Sequence, residues 1–354
     1  MKTLSLALVA GFSLACAGTA SLAAPGAAPG PALLAPLPDW AQDTLYSGPY
    51  LDIEKTMQAE KLSRFEAVEL QNRMRDRIDA KPGLEPQKAY DEALAEIRQG
   101  RFESGWKPLE FKEPGDFVVA LDMDETLLMQ WQSPAGGSDL TISADAVKAL
   151  RSGTGVKFTP GAEAFLKGLR KIPHCKAVVA FSAKADAPAL EIVQKWKFAS
   201  GEPARNYIDA VFTRNHLVLG PKALLPSKDL RILDPELKHV VLVDDNPGRV
   251  MQTQLLLAEP KFDADAYARA GRDGNAEVRK HYETLLGSAL EELQESSLAA
   301  TRMKIPFSQA FLPYSYSGER IYLTHLRTGA TRPKALEFTR LHPELQEAAF
   351  VPVH

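Results

Sequence analysis

Two hydrophobic rhythms follow one another along this chain. Between residues 53 and 78 the apolar positions Ile53, Met57, Phe65, Val68 and Ile78 recur at helical spacing, which predicts an amphipathic helical run. Lys81-Pro82-Gly83 breaks it. A second helix is expected over 86–98, with Pro86 in a favourable first-turn position and Gly100 just beyond the end. Together they read as an antiparallel hairpin. It either packs on the rest of the fold or lies over a site as a partial lid, and packing is the commoner use of such hairpins.

From Phe117 the pattern becomes one of short apolar runs, at 117–122, 176–182, 208–212 and 239–243. Their length and β-branched content are those of buried parallel strands. Helices are expected between them. One opens at Phe158-Thr159-Pro160-Gly161 and continues through Phe165, Leu166 and Leu169, and another covers about 188–198. Residues 129–157 are polar and Gly-rich and predict loop, with one short helical stretch at 145–150. Residues 221–237 read as a helical or looped connection and 277–295 as one more helix, while the tail at 297–354, with Phe307, Phe311, Tyr314 and Tyr316, matches no single pattern. Strands alternating with helices imply an α/β fold, a doubly wound, Rossmann-like parallel sheet with an N-terminal helical extension. The expected organisation is a removable leader at 1–24, a Pro/Ala-rich segment at 25–39, the helical extension at 40–110, the α/β domain at 111–296 and a C-terminal extension at 297–354.

Composition narrows the function classes. The chain has 354 residues, is 45% hydrophobic and 25% charged, and carries a net charge of −3. That is ordinary globular composition, without the basic surface a nucleic-acid partner requires. Residues 1–24 have the parts of a secretory signal: Lys2, an apolar stretch from Leu4 to Cys16, and small-residue cleavage options in Ala-Gly-Thr-Ala and Ser-Leu-Ala-Ala. Cys16 would permit a lipid-anchored form, but Ser13 stands where the usual lipoprotein signal has Leu. After cleavage Cys175 is the sole cysteine, which leaves no intramolecular disulfide. No later apolar run is long enough to span a bilayer.

The chemistry concentrates at strand ends. Val118-Val119-Ala120-Leu121 ends in Asp122, with Asp124 two residues on and the Thr126 hydroxyl two further. The second run ends at Ser182, and the last, Val240-Val241-Leu242-Val243, ends in Asp244-Asp245. A parallel sheet brings all these ends to one edge, where ligands of open α/β sheets bind. Lys228 lies in the connection before the last strand. Two carboxylates, a hydroxyl, a cation and an acidic pair are the parts of a phosphoryl-transfer site: a nucleophile, a proton shuttle, charge neutralisation and oxygen ligands for a divalent cation. Each part also has a plain structural reading. Ser182 alone is a strand-end cap, and Asp244-Asp245 alone is a turn ahead of Asn246-Pro247. Lys222 competes with Lys228, and Glu125 reads as merely exposed. His216, His239 and His281 show no metal spacing.

The four stations in this order resemble those of the haloacid dehalogenase (HAD) superfamily of phosphotransferases. Within it they are most similar to the NLI-interacting-factor family, which includes RNA polymerase II C-terminal-domain phosphatases. Phe158-Thr159-Pro160-Gly161 with Phe165-Leu166, Lys228-Asp229-Leu230, and Val241-Leu242-Val243-Asp244-Asp245-Asn246-Pro247 carry that likeness, which covers about residues 116–293. The resemblance implies that Asp122 is the nucleophile and a magnesium ligand. Asp124 would be the general acid and base, with its backbone carbonyl on the metal. It further implies that Ser182 binds a phosphate oxygen, that Lys228 pairs with the phosphoryl group and Asp122, and that Thr126 braces the loop. Asp245 would ligate Mg2+ with Asp244 beside it, the two being able to exchange roles. Thr159 departs from the pattern, standing where the family has Arg. A signal peptide is foreign to nuclear phosphatases, so their substrate is not carried over.

No stretch between the motifs has room for a large cap, so an open site is expected, one that admits phosphoproteins and other bulky phosphomonoesters. The reading is an exported, Mg2+-dependent phosphomonoester phosphatase with an aspartyl-phosphate intermediate. The alternatives are a secreted nonspecific acid phosphatase of the same superfamily, and a non-catalytic binding protein on the same fold. Intact Asp122, Asp124, Lys228 and Asp245 speak against the last. Export has its own test: the mature chain, periplasmic or secreted, is expected to begin between Ser21 and Pro25. N-terminal sequencing of protein from an exporting host checks this, and an intact Met1 overturns it.

Overall fold

In the computed structural model, residues 41–43, 49–131, 137–147, 153–219 and 225–346 are described. Residues 1–24, the Pro/Ala-rich segment at 25–39, Lys222 and residues 148–150 lie outside them. A short antiparallel pair, β1 (Ala41–Asp43) and β2 (Pro49–Leu51), leads into three helices: α1 (Ile53–Glu60), α2 (Arg64–Ala80) and α3 (Pro86–Ile97). The run at 53–78, expected as one helix, is two. Lys61 turns left-handed at φ 56°, and Ser63 restarts the chain with a capping box, its hydroxyl taking the Glu66 N–H while Glu66 takes the Ser63 N–H. Hydrophobic periodicity does not register such a break, because the apolar residues resume on nearly the same face.

The chain then builds β3 (Phe117–Leu121), β4 (Leu128–Trp131), β5 (Leu140–Thr141), β6 (Gly155–Phe158), α4 (Ala162–Leu169), β7 (Cys175–Phe181), α5 (Asp186–Lys195), β8 (Ala210–Phe212), β9 (Val240–Asp244) and β10 (Leu256–Ala258). The main sheet has the order β10-β9-β3-β7-β8 and every neighbouring pair is parallel. This is the expected doubly wound parallel α/β sheet. After β3 the winding runs one way through β7 and β8, then returns to the other side for β9 and β10. The reversal opens a crevice beyond the carboxyl ends of β3, β7 and β9.

Side-chain alternation divides the core into two layers. Val118, Ala120, Val179, Phe181, Val240 and Leu242 join the residues of α1–α3 in one cluster. Phe117, Val119, Leu121, Val178, Ala180, Val241 and Val243 face α4, α5 and the helices that follow the sheet. The N-terminal hairpin therefore covers one face of the sheet and takes no part in a lid, in line with the packing reading.

Two regions differ from expectation. Residues 129–157, read as loop, hold strands of a three-stranded antiparallel sheet, β4-β6-β5, whose strands of two to four residues are too short to show a period. The stretch at 145–147 is a single 3-10 turn. Past the sheet come α6 (Ala264–Arg272) and α7 (Ala276–Met303), the second being the helix expected at 277–295 carried on into the tail, and the tail continues as helices α8 (Phe307–Phe311), α9 (Glu319–Arg327) and α10 (Arg332–Leu341). Among the described residues no helix is long and apolar enough to cross a membrane.

The start of β3 is anchored by Asp116, 1% exposed, which accepts hydrogen bonds from the Lys112 and Glu113 amides and pairs with His174 at 3.0 Å and Lys176 at 2.9 Å. Burial alone would raise its pKa, but His174, Lys176 and the two amides outweigh it and hold the carboxyl at about 2. A carboxyl depressed in the folded state stabilises above its unfolded value and loses that contribution as pH falls through the folded one. Asp116→Asn is thus expected to cost about 2 kcal/mol at neutral pH and to flatten the loss of stability between about pH 4 and 2. Denaturant titrations across that range check it, and an unchanged acid limb overturns it.

Candidate active site

Asp122 follows directly on β3, its N–H bonded to the Val243 carbonyl of β9 at 2.9 Å. The chain then folds tightly. The Leu127 and Leu128 amides return to the Met123 carbonyl, and Glu125 takes a left-handed turn at φ 62°. This loop leaves Asp122 almost covered, at 7%, while the Asp124 side chain stays 41% exposed. Thr126 is fully buried and donates its hydroxyl to Asp245 Oδ1 at 3.3 Å. Thr159, in the position where the likeness carries Arg, donates its hydroxyl to the Thr126 carbonyl at 2.7 Å and its N–H to the Leu127 carbonyl. The substituted residue serves the loop.

Lys228 meets this edge from the far side of β9. It is 1% exposed, and its ammonium lies 2.7 Å from Asp122 Oδ1 and 2.5 Å from Asp244 Oδ2. Burial alone would lower its pKa, but Asp122 and Asp244 outweigh burial and raise it, so the lysine is charged. Asp244 also accepts the Asn246 N–H on its other oxygen at 2.7 Å. Ser182, just past β7, is fully buried, and its hydroxyl oxygen accepts the Lys184 N–H at 3.1 Å. All the residues expected at the sheet edge therefore come together, and Lys228 is the lysine beside Asp122.

Asp122, Asp244 and Asp245 each offer a carboxylate oxygen, and these oxygens lie within 4.8 Å of one another. The buried Lys228 ammonium pairs with Asp122 and Asp244, and the exposed Lys261 stands 3.7 Å from Asp245 Oδ2. Burial raises the pKa of the Asp122 carboxyl against the pull of Lys228, with Asp244 and Asp124 adding to the rise, so its ionised form is short of positive charge. Burial, then Asp244, raises Asp245 as well. An excess of buried hard-oxygen charge with no histidine or cysteine ligand is a donor set that fits a divalent cation of the magnesium type.

Three residues of the site were not singled out in the sequence. A cleft of about 410 Å3 is lined by Asp124, Glu125, Gln130, Lys184 and Arg214. Lys184 lies 2.7 Å from Asp124 Oδ1 and donates to Gln130 Oε1 at 2.6 Å. Arg214 has a buried Nε that makes no hydrogen bond among the described residues. Lys184 sits three residues past the end of β7 and Arg214 two past the end of β8, so the sheet-edge argument that picked out Ser182 would also have reached them. Gln130 lies on β4 and left no sequence signal.

Residues 117–270 match the family model described as NLI interacting factor-like phosphatase. Solved structures similar to the chain include a variant of the fission yeast RNA polymerase II CTD phosphatase Fcp1 bound to beryllium fluoride, at 15% identity over 68% of this chain and 70% of that one, with a TM-score of 0.31. Another is an Fcp1 structure described as an essential RNA polymerase II CTD phosphatase, at 15% identity over 68% and 69%, with a TM-score of 0.33. No curated protein matches the chain.

A ligand that binds the folded state raises its stability by mass action. Mg2+ is expected to raise the thermal midpoint of the metal-free protein, and Asp245→Asn to abolish that rise while the fold persists. Differential scanning calorimetry with and without Mg2+ is the check. An equal rise in the variant would remove Asp245 from the metal site.

Proposed function

We propose that the protein is an exported, Mg2+-dependent phosphomonoester phosphatase that works through an aspartyl phosphate on Asp122, with phosphoproteins as its substrate class. One observation carries this reading. Two carboxylates two residues apart stand in opposite environments, Asp122 buried against Lys228 and Asp124 on the cleft wall. The first environment suits a desolvated nucleophile, the second a group that exchanges protons with substrate and water.

In this reading Asp122 attacks phosphorus, forming the new O–P bond as the bond to the leaving oxygen breaks. Asp124 gives the leaving oxygen its proton. Lys228 and Arg214 bring positive charge to the phosphoryl oxygens, and Ser182, whose oxygen already accepts the Lys184 amide, has its O–H left to donate to one of them. Asp124 then takes a proton from the water that attacks the aspartyl phosphate, and Asp122 is released as carboxylate. Asp245 is assigned as the direct metal ligand and Asp244 as the residue that fixes Lys228, since both Asp244 oxygens already accept hydrogen bonds. Bound Mg2+ would supply further neutralisation of phosphoryl charge through Asp122, Asp245 and the Asp124 carbonyl. The open cleft and the phosphatase family of residues 117–270 support a bulky substrate, and residues 1–24 support export. Broad turnover of nucleotides and sugar phosphates, without preference for phosphopeptides, would instead favour a nonspecific acid phosphatase.

The two carboxylates are expected to fail differently. Asp122→Asn yields no product. Asp124→Asn keeps the nucleophile, and an aryl phosphate needs little help to leave, so the first step survives. The second needs a base, and general bases contribute roughly 10²–10⁴-fold. Rapid-quench kinetics should show a burst of about one aryl alcohol per site and then phosphate held on Asp122. Slow, burst-free turnover by Asp124→Asn would sink the assignment.

A further inference from the structure

Helix α2 carries a polar stripe on its inner side. Glu69, Gln71, Asn72 and Arg75 are at most 2% exposed. Burying such groups is unfavourable unless each finds a partner, so their partners reveal what the stripe holds. Several of those partners belong to the segment after β8, and the others to β2 and to Glu103 and Ser104. Gln71 Nε2 donates to the Asn215 and Leu217 carbonyls at 2.7 and 2.8 Å. Arg75 Nε donates to Asn215 Oδ1 at 2.9 Å, and its guanidinium lies 3.9 Å above the Tyr50 ring. The Tyr50 hydroxyl donates to the Arg214 carbonyl at 3.4 Å. Asn215 Nδ2 donates to Asp76 Oδ1 at 2.6 Å and Asp186 Oδ2 at 3.2 Å. On its other side this segment joins the cleft, where the Arg214 N–H bonds to the Lys184 carbonyl at 2.9 Å and both side chains line the wall beside Asp124.

We propose that α2 is a positioning element of the phosphatase site, in which Arg75 and Gln71, acting through Asn215, hold the segment from which Arg214 reaches the substrate phosphate. Packing alone would not need the stripe, because Phe65, Val68, Leu70 and Met74 already bury the helix in the core. The directed hydrogen bonds of Gln71 and Arg75 to Asn215 and Leu217 instead select one placement of the backbone they grip. The inference rests on the reading of Arg214 as a phosphate contact. It makes the N-terminal extension part of the catalytic apparatus, although none of its residues lines the cleft.

The test is a double-mutant cycle on the full chain, with an aryl phosphate and Mg2+. Arg75→Met is expected to lower kcat/KM about tenfold, through a raised KM with kcat nearly kept. A merely structural role would reduce the active fraction, lowering kcat at constant KM. In the Arg214→Ala background Arg75→Met is expected to have no further effect, since the residue it positions is gone. Gln71→Met, run through the same cycle, serves if Arg75→Met does not fold, as judged by near-ultraviolet circular dichroism. Additive losses, or an unchanged KM, overturn the inference while an active wild type leaves the phosphatase reading standing. An inactive wild type overturns both.

Discussion

The site depends on one buried ammonium. Lys228 lies between Asp122 and Asp244, reaching both at hydrogen-bond distance with almost no solvent access. Buried carboxylates repel one another and lose their hydration, and one buried lysine, with the exposed Lys261 near Asp245, leaves the three short of positive charge. What remains is a concentrated negative field with oxygen donors facing one point. That field makes a divalent cation a fitting occupant, while Lys228 itself holds Asp122 in place.

The sheet exists, for this purpose, to bring those charges together from distant parts of the chain. Asp122, Ser182 and Asp244 each follow or end a parallel strand, and the strands carrying them, β7, β3 and β9, are neighbours. Parallel strands need long crossovers, so residues more than a hundred positions apart arrive side by side. The helices that cover the sheet do further work. On one face the cover is α1–α3, and its polar stripe reaches past the apolar core to the segment that presents Arg214. Stability and site geometry are served by the same helix, with apolar residues doing one task and polar residues the other.

Local backbone detail separates the two aspartates of the opening motif. The tight turn at Glu125 and the hydrogen bonds from Thr159 hold the loop so that Asp122 turns inward and Asp124 outward. Lys184 then meets Asp124 from β7, and Gln130 meets Lys184 from the three-stranded sheet. The small antiparallel sheet thus contributes a wall of the cleft.

The amino-acid sequence by itself determined four strands of the main sheet, β3, β7, β8 and β9, because continuous apolar runs such as Val118–Leu121 have one stable home, the middle of a covered sheet. It determined the sheet edge too, since a charged or hydroxyl residue closing such a run cannot stay in the core. Asp122, Asp124, Ser182, Asp244 and Asp245 were legible for that reason, and the order of motifs pointed to their chemistry. Tertiary structure alone decided the rest. Which of Asp244 and Asp245 takes Lys228 depends on the angle at which β9 ends. The contact of Lys184 with Asp124, and of Arg75 with Asn215 across 140 positions, joins residues that no local pattern connects. The strands β4, β5 and β6 are too short to carry a period, so only their pairing defines them. Periodicity records which residues avoid water; it does not record which polar groups find one another once water is gone.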